Sequence, residues 1–273
     1  MTDKEPVDNE PTIEDYEKFR KLTVAQRHAF YLQLRNALET PRIFDAFSVV
    51  ERGDFIPIEH YEGIFFEKPV GIGYEQTNSD PSLVSRMLEK LQPQRGENIL
   101  DVGSGSGWTT ALISHCVGET GKVVGVERIQ ELVVFGRNNI GKYRHTTNAE
   151  VHHTPNGIGW PEGAPYDKIL VSAQIDKVPV GLVEQLDEGG LLLVPVVNTE
   201  QEGRNYAQAQ FEQYKKRNGK ELPEEDKQKF LDDILQKPGS NIILYKKVDG
   251  ELQQVDVIPD MIFVPLILGD DSE

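Results

Sequence analysis

From residue 81 to residue 197 the chain alternates short apolar runs with amphipathic segments, and this alternation constrains the fold more than any other feature. Asp80 followed by Pro81 reads as a helix N-cap and first helical position. Leu83, Val84, Met87, Leu88 and Leu91 then recur on one helical face. Strands are expected at Ile99 to Val102, Lys122 to Val126, Glu150 to His152, Lys168 to Ser172 and Leu191 to Val196. Helices are expected at Thr109 to Cys116, at Ile129 to Ile140 and between the last two strands. Successive strand-helix units join parallel neighbours, so the fold class is α/β with a doubly wound, mostly parallel sheet covered by helices on both faces.

The flanks divide by composition. Residues 1 to 12 combine charge and proline with little to bury and read as a solvated tail. Residues 13 to 80 form an N-terminal segment with a helix from Thr23 to about Leu38 and a short one over Ile43 to Val50. Residues 81 to 197 are the core. Residues 198 to 240 are charged and helix-favouring, and read as a helical insertion. In 241 to 273, NIILYKKV, an Asp249-Gly250 turn and ELQQVDVI signal a hairpin, IFVPLI a last buried strand, and the end is an acidic tail.

Charge and cysteine narrow the function classes. Against 29 basic residues stand 45 acidic ones, a net charge of −16 that repels phosphate backbones, so no nucleic-acid partner is expected. Cys116 is the only cysteine, which suits a reducing compartment. The opening segment lacks the apolar core of a secretory signal. The apolar run Gly190 to Val197 is far short of the roughly 20 residues needed to span a bilayer. The expectation is a cytoplasmic protein, a monomer with no membrane partner.

The run Asp101-Val-Gly103-Ser104-Gly105-Ser106-Gly107 sits between a strand and a helix, where closely spaced glycines let backbone approach a ligand. Glu127 ends the next strand, where a carboxylate can accept hydrogen bonds from both hydroxyls of a ribose. Asp101 opens the loop, and neither a phosphate-binding lysine nor a true Gly-x-Gly-x-x-Gly register is present. S-adenosylmethionine, with its cationic sulfur, therefore fits better than NAD, whose pyrophosphate an acidic loop edge would repel. The competing reading is a glycine-rich turn without a ligand.

The segments ILDVGSGSGWTTALI, GKVVGVERIQELV and APYDKILVSA resemble the cofactor motifs of protein-L-isoaspartate O-methyltransferases. The likeness extends to DFIP at 54 to 57, GIGYEQTNSDP at 71 to 81 and IFVPL at 262 to 266, and covers most of residues 42 to 197 and 241 to 267. It implies a Rossmann-like methyltransferase fold with a seven-stranded sheet, N-terminal helices and a C-terminal hairpin. It places the cofactor along Asp101, Gly103, Ser104, Gly105, Ser106 and Gly107, with Glu127 on the ribose beside Arg128, and Asn156 and Gly157 near the adenine. Where the family usually has Asp-Gly, a gapless reading puts Pro155 and Asn156. Thr77 and Ser79 match the family's active-site Thr-x-Ser, and Ile56, Pro57, Val264 and Pro265 match its substrate-side segments. Two positions depart: Glu75 stands where glycine is usual, and Asn78 where an apolar residue is usual. Both bear on substrate preference, Glu75 only if it faces the pocket.

The implied reaction is an in-line displacement in which the carboxylate of an L-isoaspartyl residue, in a protein or peptide partner, attacks the sulfonium methyl. That carboxylate is ionised at neutral pH because its reference pKa is near 4, so no strong general base is needed. Ser79 would orient it, with Thr77 in support. The ester closes to succinimide and reopens partly as normal aspartate. Three alternatives stay open: a cofactor-binding protein without methyl transfer, a methyltransferase for aspartates of a dedicated partner peptide, and a small-molecule or RNA methyltransferase.

Other features have plainer readings. His152 and His153 are neighbours on a strand and point to opposite faces, so they cannot share a metal, and no metal site is expected. Arg52-Gly53-Asp54 reads as a helix terminus and turn. Trp108 and Trp160 line a pocket or simply pack. Ser79 has an alternative role as a cap for the helix that follows it.

Overall fold

The computed structural model describes residues 38–64, 68–143, 146, 148–156, 158–219, 222–235, 239–261 and 266. The helix expected from Thr23 lies outside them apart from its end at Leu38, as does most of the strand expected at IFVPLI. In chain order the elements are α1 (Pro41–Val49), β1 (Val70–Gly73), β2 (Gln76–Asn78), α2 (Pro81–Leu91), β3 (Asn98–Val102), α3 (Trp108–Val117), β4 (Lys122–Glu127), α4 (Gln130–Ile140), β5 (Ala149–His153), β6 (Tyr166–Val171), α5 (Val180–Gln185), β7 (Leu186–Val197), α6 (Glu200–Asn218), α7 (Glu224–Leu235), β8 (Ser240–Val248) and β9 (Glu251–Met261).

Seven strands form one sheet in the order β5-β4-β3-β6-β7-β8-β9. The first five are parallel, and β8 and β9 are added antiparallel. Because strand side chains alternate, each buried run feeds two cores. Ile99, Val123, Leu170 and Leu193 pack under α1 to α4. Leu100, Val102, Val124, Val126, Ile169, Val171 and Leu192 pack on the opposite face with Leu182 of α5. From β3 the chain winds outward through β4 to β5, then returns to place β6 on the other side of β3. Loops at the carboxyl ends of β3 and β6 therefore diverge and leave a crevice, the usual ligand position in such sheets.

Asp80 caps α2, its Oδ1 accepting from the backbone N–H of Ser82 and Leu83 at 2.7 and 3.3 Å. The cap expected from the sequence is thus filled by Asp80 itself and not by Ser79. Two elements differ from expectation. The strand expected from Leu191 begins at Leu186, which already pairs with Tyr166, and a register shift in which Gly189 takes a φ of 80° separates this pair from Lys168–Leu191. This early start limits α5 to six residues, Val180–Gln185. The 198 to 240 stretch carries α6, opened by a Thr199/Glu202 capping box, and α7, which packs Phe230 against Phe211 and Tyr214. Among the described residues no helix is long and apolar enough to cross a membrane, and no group of three or more His, Cys, Asp or Glu could hold a metal. Cys116 is buried against α1, and burial pushes its thiol up to about 12, which leaves it unreactive.

Candidate active site

The crevice is floored by the loop after β3. The N–H groups of Gly103 and Ser104 both donate to Val126 O, at 2.9 and 3.0 Å, so the chain turns sharply across the end of β4. Gly103, Gly105 and Gly107 all take positive φ (80°, 53° and 87°). At Gly107 the close approach also matters: a Cβ there would meet Gly136 O and Ile140 Cδ1 at 3.1 Å, so α3 can start only by packing bare backbone on α4. Asn139 Nδ2 ties the same loop down by donating to Ser106 O at 3.1 Å.

Glu127, the last residue of β4, is buried beside this loop. Its Oε2 accepts from Gly105 N and its Oε1 from Ile129 N, each at 3.0 Å. These bonds fix the carboxylate plane, and each oxygen keeps a lone pair for a further donor. Asp101 is fully buried at the end of β3 and accepts from Thr110 Oγ1 at 2.6 Å. Desolvation pushes its carboxyl up to about 6, helped by Glu127 and opposed by the hydroxyls of Thr110 and Ser172. The folded state therefore holds this proton more tightly than the unfolded chain, and its contribution to stability is lost as pH rises from about 4 through 6. Asp101→Asn removes that loss. Without cofactor, the variant should melt above wild type at pH 8, by an amount worth on the order of 1–3 kcal/mol, with the gap closing by pH 4. A gap that does not change with pH would contradict this assignment.

The roof is the β1–β2 hairpin, whose tip residues Tyr74 and Glu75 both take positive φ (54° and 59°). Glycine at position 75, the residue the resemblance implies, would carry no strain there. Glu75 is exposed and does not line the crevice, so the solvent-facing alternative of the two is the one observed. Asn78 is buried and does not present a free side chain to a substrate. Its Oδ1 accepts from Arg52 Nε at 2.9 Å, and its Nδ2 donates to Ser106 Oγ at 3.3 Å. The polar departure at 78 is thus a bridge between Arg52 and the glycine loop.

Sequence reasoning read Arg52 only as part of a helix terminus and turn, and missed what its side chain holds together. Arg52 opens a 3-10 turn, Arg52–Phe55, and is 4% exposed. Besides Asn78 Oδ1, its guanidinium donates to the carbonyls of Ile64, Lys68, Asn78 and Ser79 at 2.9–3.3 Å. Burial lowers its pKa to about 10, the Asp80 carboxylate opposing, so it remains charged at neutral pH. The available signal was an arginine between two apolar runs, Phe47 to Val50 and Phe55 to Ile56, but its partners lie up to 27 residues away.

One crevice thus unites Thr77 and Ser79 with Gly103, Ser104, Gly105, Ser106 and Glu127, with Ile72, Trp108 and Ala173 completing the walls. Asp101 and Gly107 do not line it: Asp101 is fully buried, and Gly107 is the N-cap of α3. Arg128 is outside the crevice wall and its carbonyl accepts from the His153 ring. Asn156 lines a separate hollow of about 530 Å³ with Ile158, Trp160 and Gln185, and Gly157 lies outside the described residues. Ile56 is buried against Ile64 and Val70, supporting the hairpin from behind. Val264 and Pro265 also lie outside the described residues; next to them, Leu266 N donates to Gln174 O at 2.7 Å, one residue from Ala173. His152 stacks on Trp160 with ring centroids 4.0 Å apart, so Trp160 both packs and lines the hollow.

The donor set fits S-adenosylmethionine: positive-φ glycines open to the crevice, a fixed carboxylate at the end of β4, and a buried Ser104 hydroxyl with no partner. Comparison with known proteins agrees. Residues 25–230 match the family model for protein-L-isoaspartate(D-aspartate) O-methyltransferase. The protein-L-isoaspartate O-methyltransferase of Aeropyrum pernix is 38% identical over 187 residues, covering 68% of this chain and 71% of that one. That of Methanopyrus kandleri is 37% identical over 183 residues, covering 67% and 80%. Among solved structures, a protein-L-isoaspartate O-methyltransferase superposes with a TM-score of 0.66 at 22% identity, covering 88% of this chain and 65% of that one. A Plasmodium falciparum chain solved with S-adenosyl-L-homocysteine gives 0.65 at 22%, covering 87% and 96%. On the fold, the crevice and the span of the family match, this chain belongs to the protein-L-isoaspartate(D-aspartate) O-methyltransferase family.

Proposed function

We infer that this protein methylates the side-chain carboxylate of L-isoaspartyl residues in proteins and peptides, using S-adenosyl-L-methionine. The observation that carries the reading is that Thr77 and Ser79 share one crevice with the glycine loop and Glu127, in a chain of this family. The bound cofactor supplies a methyl group on a cationic sulfur. Gly103, Ser104 and Gly105 hold its amino-acid portion, and Glu127, already fixed by two backbone N–H groups, accepts from the ribose hydroxyls. Ser106 and Gly107 keep the loop in shape, Arg128 continues the strand end, and the adenine extends past Glu127 toward the hollow that Asn156 lines, whose Thr154 N–H donates to Glu127 O at 3.0 Å. Ile56, Pro57, Val264 and Pro265 belong to the substrate-side segments.

Ser79 orients the attacked carboxylate with its hydroxyl, and two facts support this. Asp80 makes the helix cap, so Ser79 is not needed there. Arg52 holds the Ser79 carbonyl at 2.9 Å, so the residue sits on a fixed backbone. A carboxylate is ionised at neutral pH, so the chain need not remove a proton. It accelerates the reaction by alignment and by excluding the water that solvates the nucleophile. The test is Ser79→Ala: kcat for methylation of an isoaspartyl peptide falls about 10–100-fold, the scale of one lost orienting hydrogen bond, while S-adenosyl-L-homocysteine affinity stays within threefold. Unchanged kcat would remove Ser79 from the mechanism.

A further inference from the structure

One polar group in the crevice has no role in the account above. Trp108, the first residue of α3, is 2% exposed and lines the crevice alongside Thr77, Ser79 and Ser104. Its ring is held firmly: Phe47 meets it edge-on at 5.6 Å and 90°, and the Arg52 guanidinium carbon lies 5.5 Å from its centroid. Yet its Nε1 is buried without a hydrogen-bond partner. A phenylalanine would fill similar space without burying an unpaired donor, so packing alone does not explain an indole.

The surroundings specify what would satisfy it. The Ser104 hydroxyl in the same crevice is also buried and unpartnered. Both lie at the amino end of α3, a ten-residue helix whose dipole is positive there, and Trp108 is stacked beneath a buried cation. The nearby acids do not bond the indole: Glu127 accepts from Gly105 and Ile129, Asp101 Oδ2 accepts from Thr110, and Asp101 Oδ1 is left without a partner. Unused donors beside a helix amino end and a buried guanidinium favour an anionic acceptor.

We propose that the Trp108 indole N–H is a carboxylate-binding donor of this active site. The inference rests on the methyl-transfer reading, which brings two carboxylates into the crevice: that of the cofactor's amino-acid portion and that of the isoaspartyl side chain.

Trp108→Phe keeps an aromatic ring and deletes the N–H. Three quantities are measured on the full chain: affinity for S-adenosyl-L-homocysteine, affinity for methylthioadenosine, which has no carboxylate, and kcat and KM for an isoaspartyl peptide. If the cofactor carboxylate is the acceptor, S-adenosyl-L-homocysteine affinity falls about tenfold and methylthioadenosine affinity is unchanged. If the substrate carboxylate is the acceptor, kcat/KM for the peptide falls about tenfold with both affinities unchanged. The Tm of the ligand-free protein serves only to check that Trp108→Phe folds, because the N–H is unpaired there whether or not it binds a carboxylate. Unchanged S-adenosyl-L-homocysteine affinity overturns the proposal when the peptide kinetics are also unchanged or the wild type is inert. An inert wild type sinks the methyl-transfer reading by itself, whatever Trp108→Phe does to cofactor affinity.

Discussion

Arg52→Met is expected to lower unfolding stability by about 3–5 kcal/mol, the cost of breaking a buried charged cluster at one partner. Methionine fills part of the volume but leaves Asn78 Oδ1 and the carbonyls of Ile64, Lys68, Asn78 and Ser79 without their donor. These groups span the turn before the hairpin, the hairpin's second strand and the start of α2, so the roof of the crevice loosens as a unit. Methyl transfer should fall with it, and more steeply than cofactor affinity, because the glycine loop has its own anchor at Asn139. Arg52→Lys should recover only part of the stability, since an ammonium cannot serve acceptors spread around a planar fork. Urea denaturation reads the effect; a loss under 1 kcal/mol for Arg52→Met would mean that water replaces the guanidinium.

The second large effect is on ligand affinity. Glu127→Ala should weaken S-adenosyl-L-homocysteine binding by about 100-fold or more, from the loss of charge-assisted bonds worth about 1.5–3 kcal/mol each. The loop suffers too, because Gly105 N and Ile129 N lose their acceptor. Glu127→Gln separates the two causes. The amide retains one acceptor oxygen and turns the other into a donor, so one backbone partner remains and affinity should fall by an intermediate factor. Calorimetry within threefold of wild type for Glu127→Ala would show that the ribose is held elsewhere.

The parts of this fold legible in the sequence are those specified by neighbours in the chain. The Asp80-Pro81 start of α2, the alternation of Ile99 to Val102 between two faces and the Asp249-Gly250 turn of the β8–β9 hairpin all follow from short-range steric and hydrogen-bonding rules. The glycine loop and the acid ending β4 were legible for the same reason. Asn78 was visible as an exception, but its partner was not, since the bridge to Arg52 joins residues 26 apart. Which way Glu75 faces stayed open because the sequence does not show a hairpin tip with two consecutive positive φ values. The early start of β7 was hidden because Asp187 and Glu188 do not look like strand: they lie in the irregularity between the pairs Tyr166–Leu186 and Lys168–Leu191, where the Glu188 carboxylate accepts from the N–H groups of Asp249 and Gly250, residues 61 and 62 positions away in the chain. The unpaired Trp108 N–H exists only once helix, hairpin and loop are assembled.

The central claim is tested most directly by offering the full chain labelled S-adenosyl-L-methionine and two peptides that differ only in having L-isoaspartate or normal aspartate at one position. The account predicts base-labile label on the isoaspartyl peptide and essentially none on its partner. Equal labelling of both, or labelling of neither while S-adenosyl-L-homocysteine still binds, would contradict it.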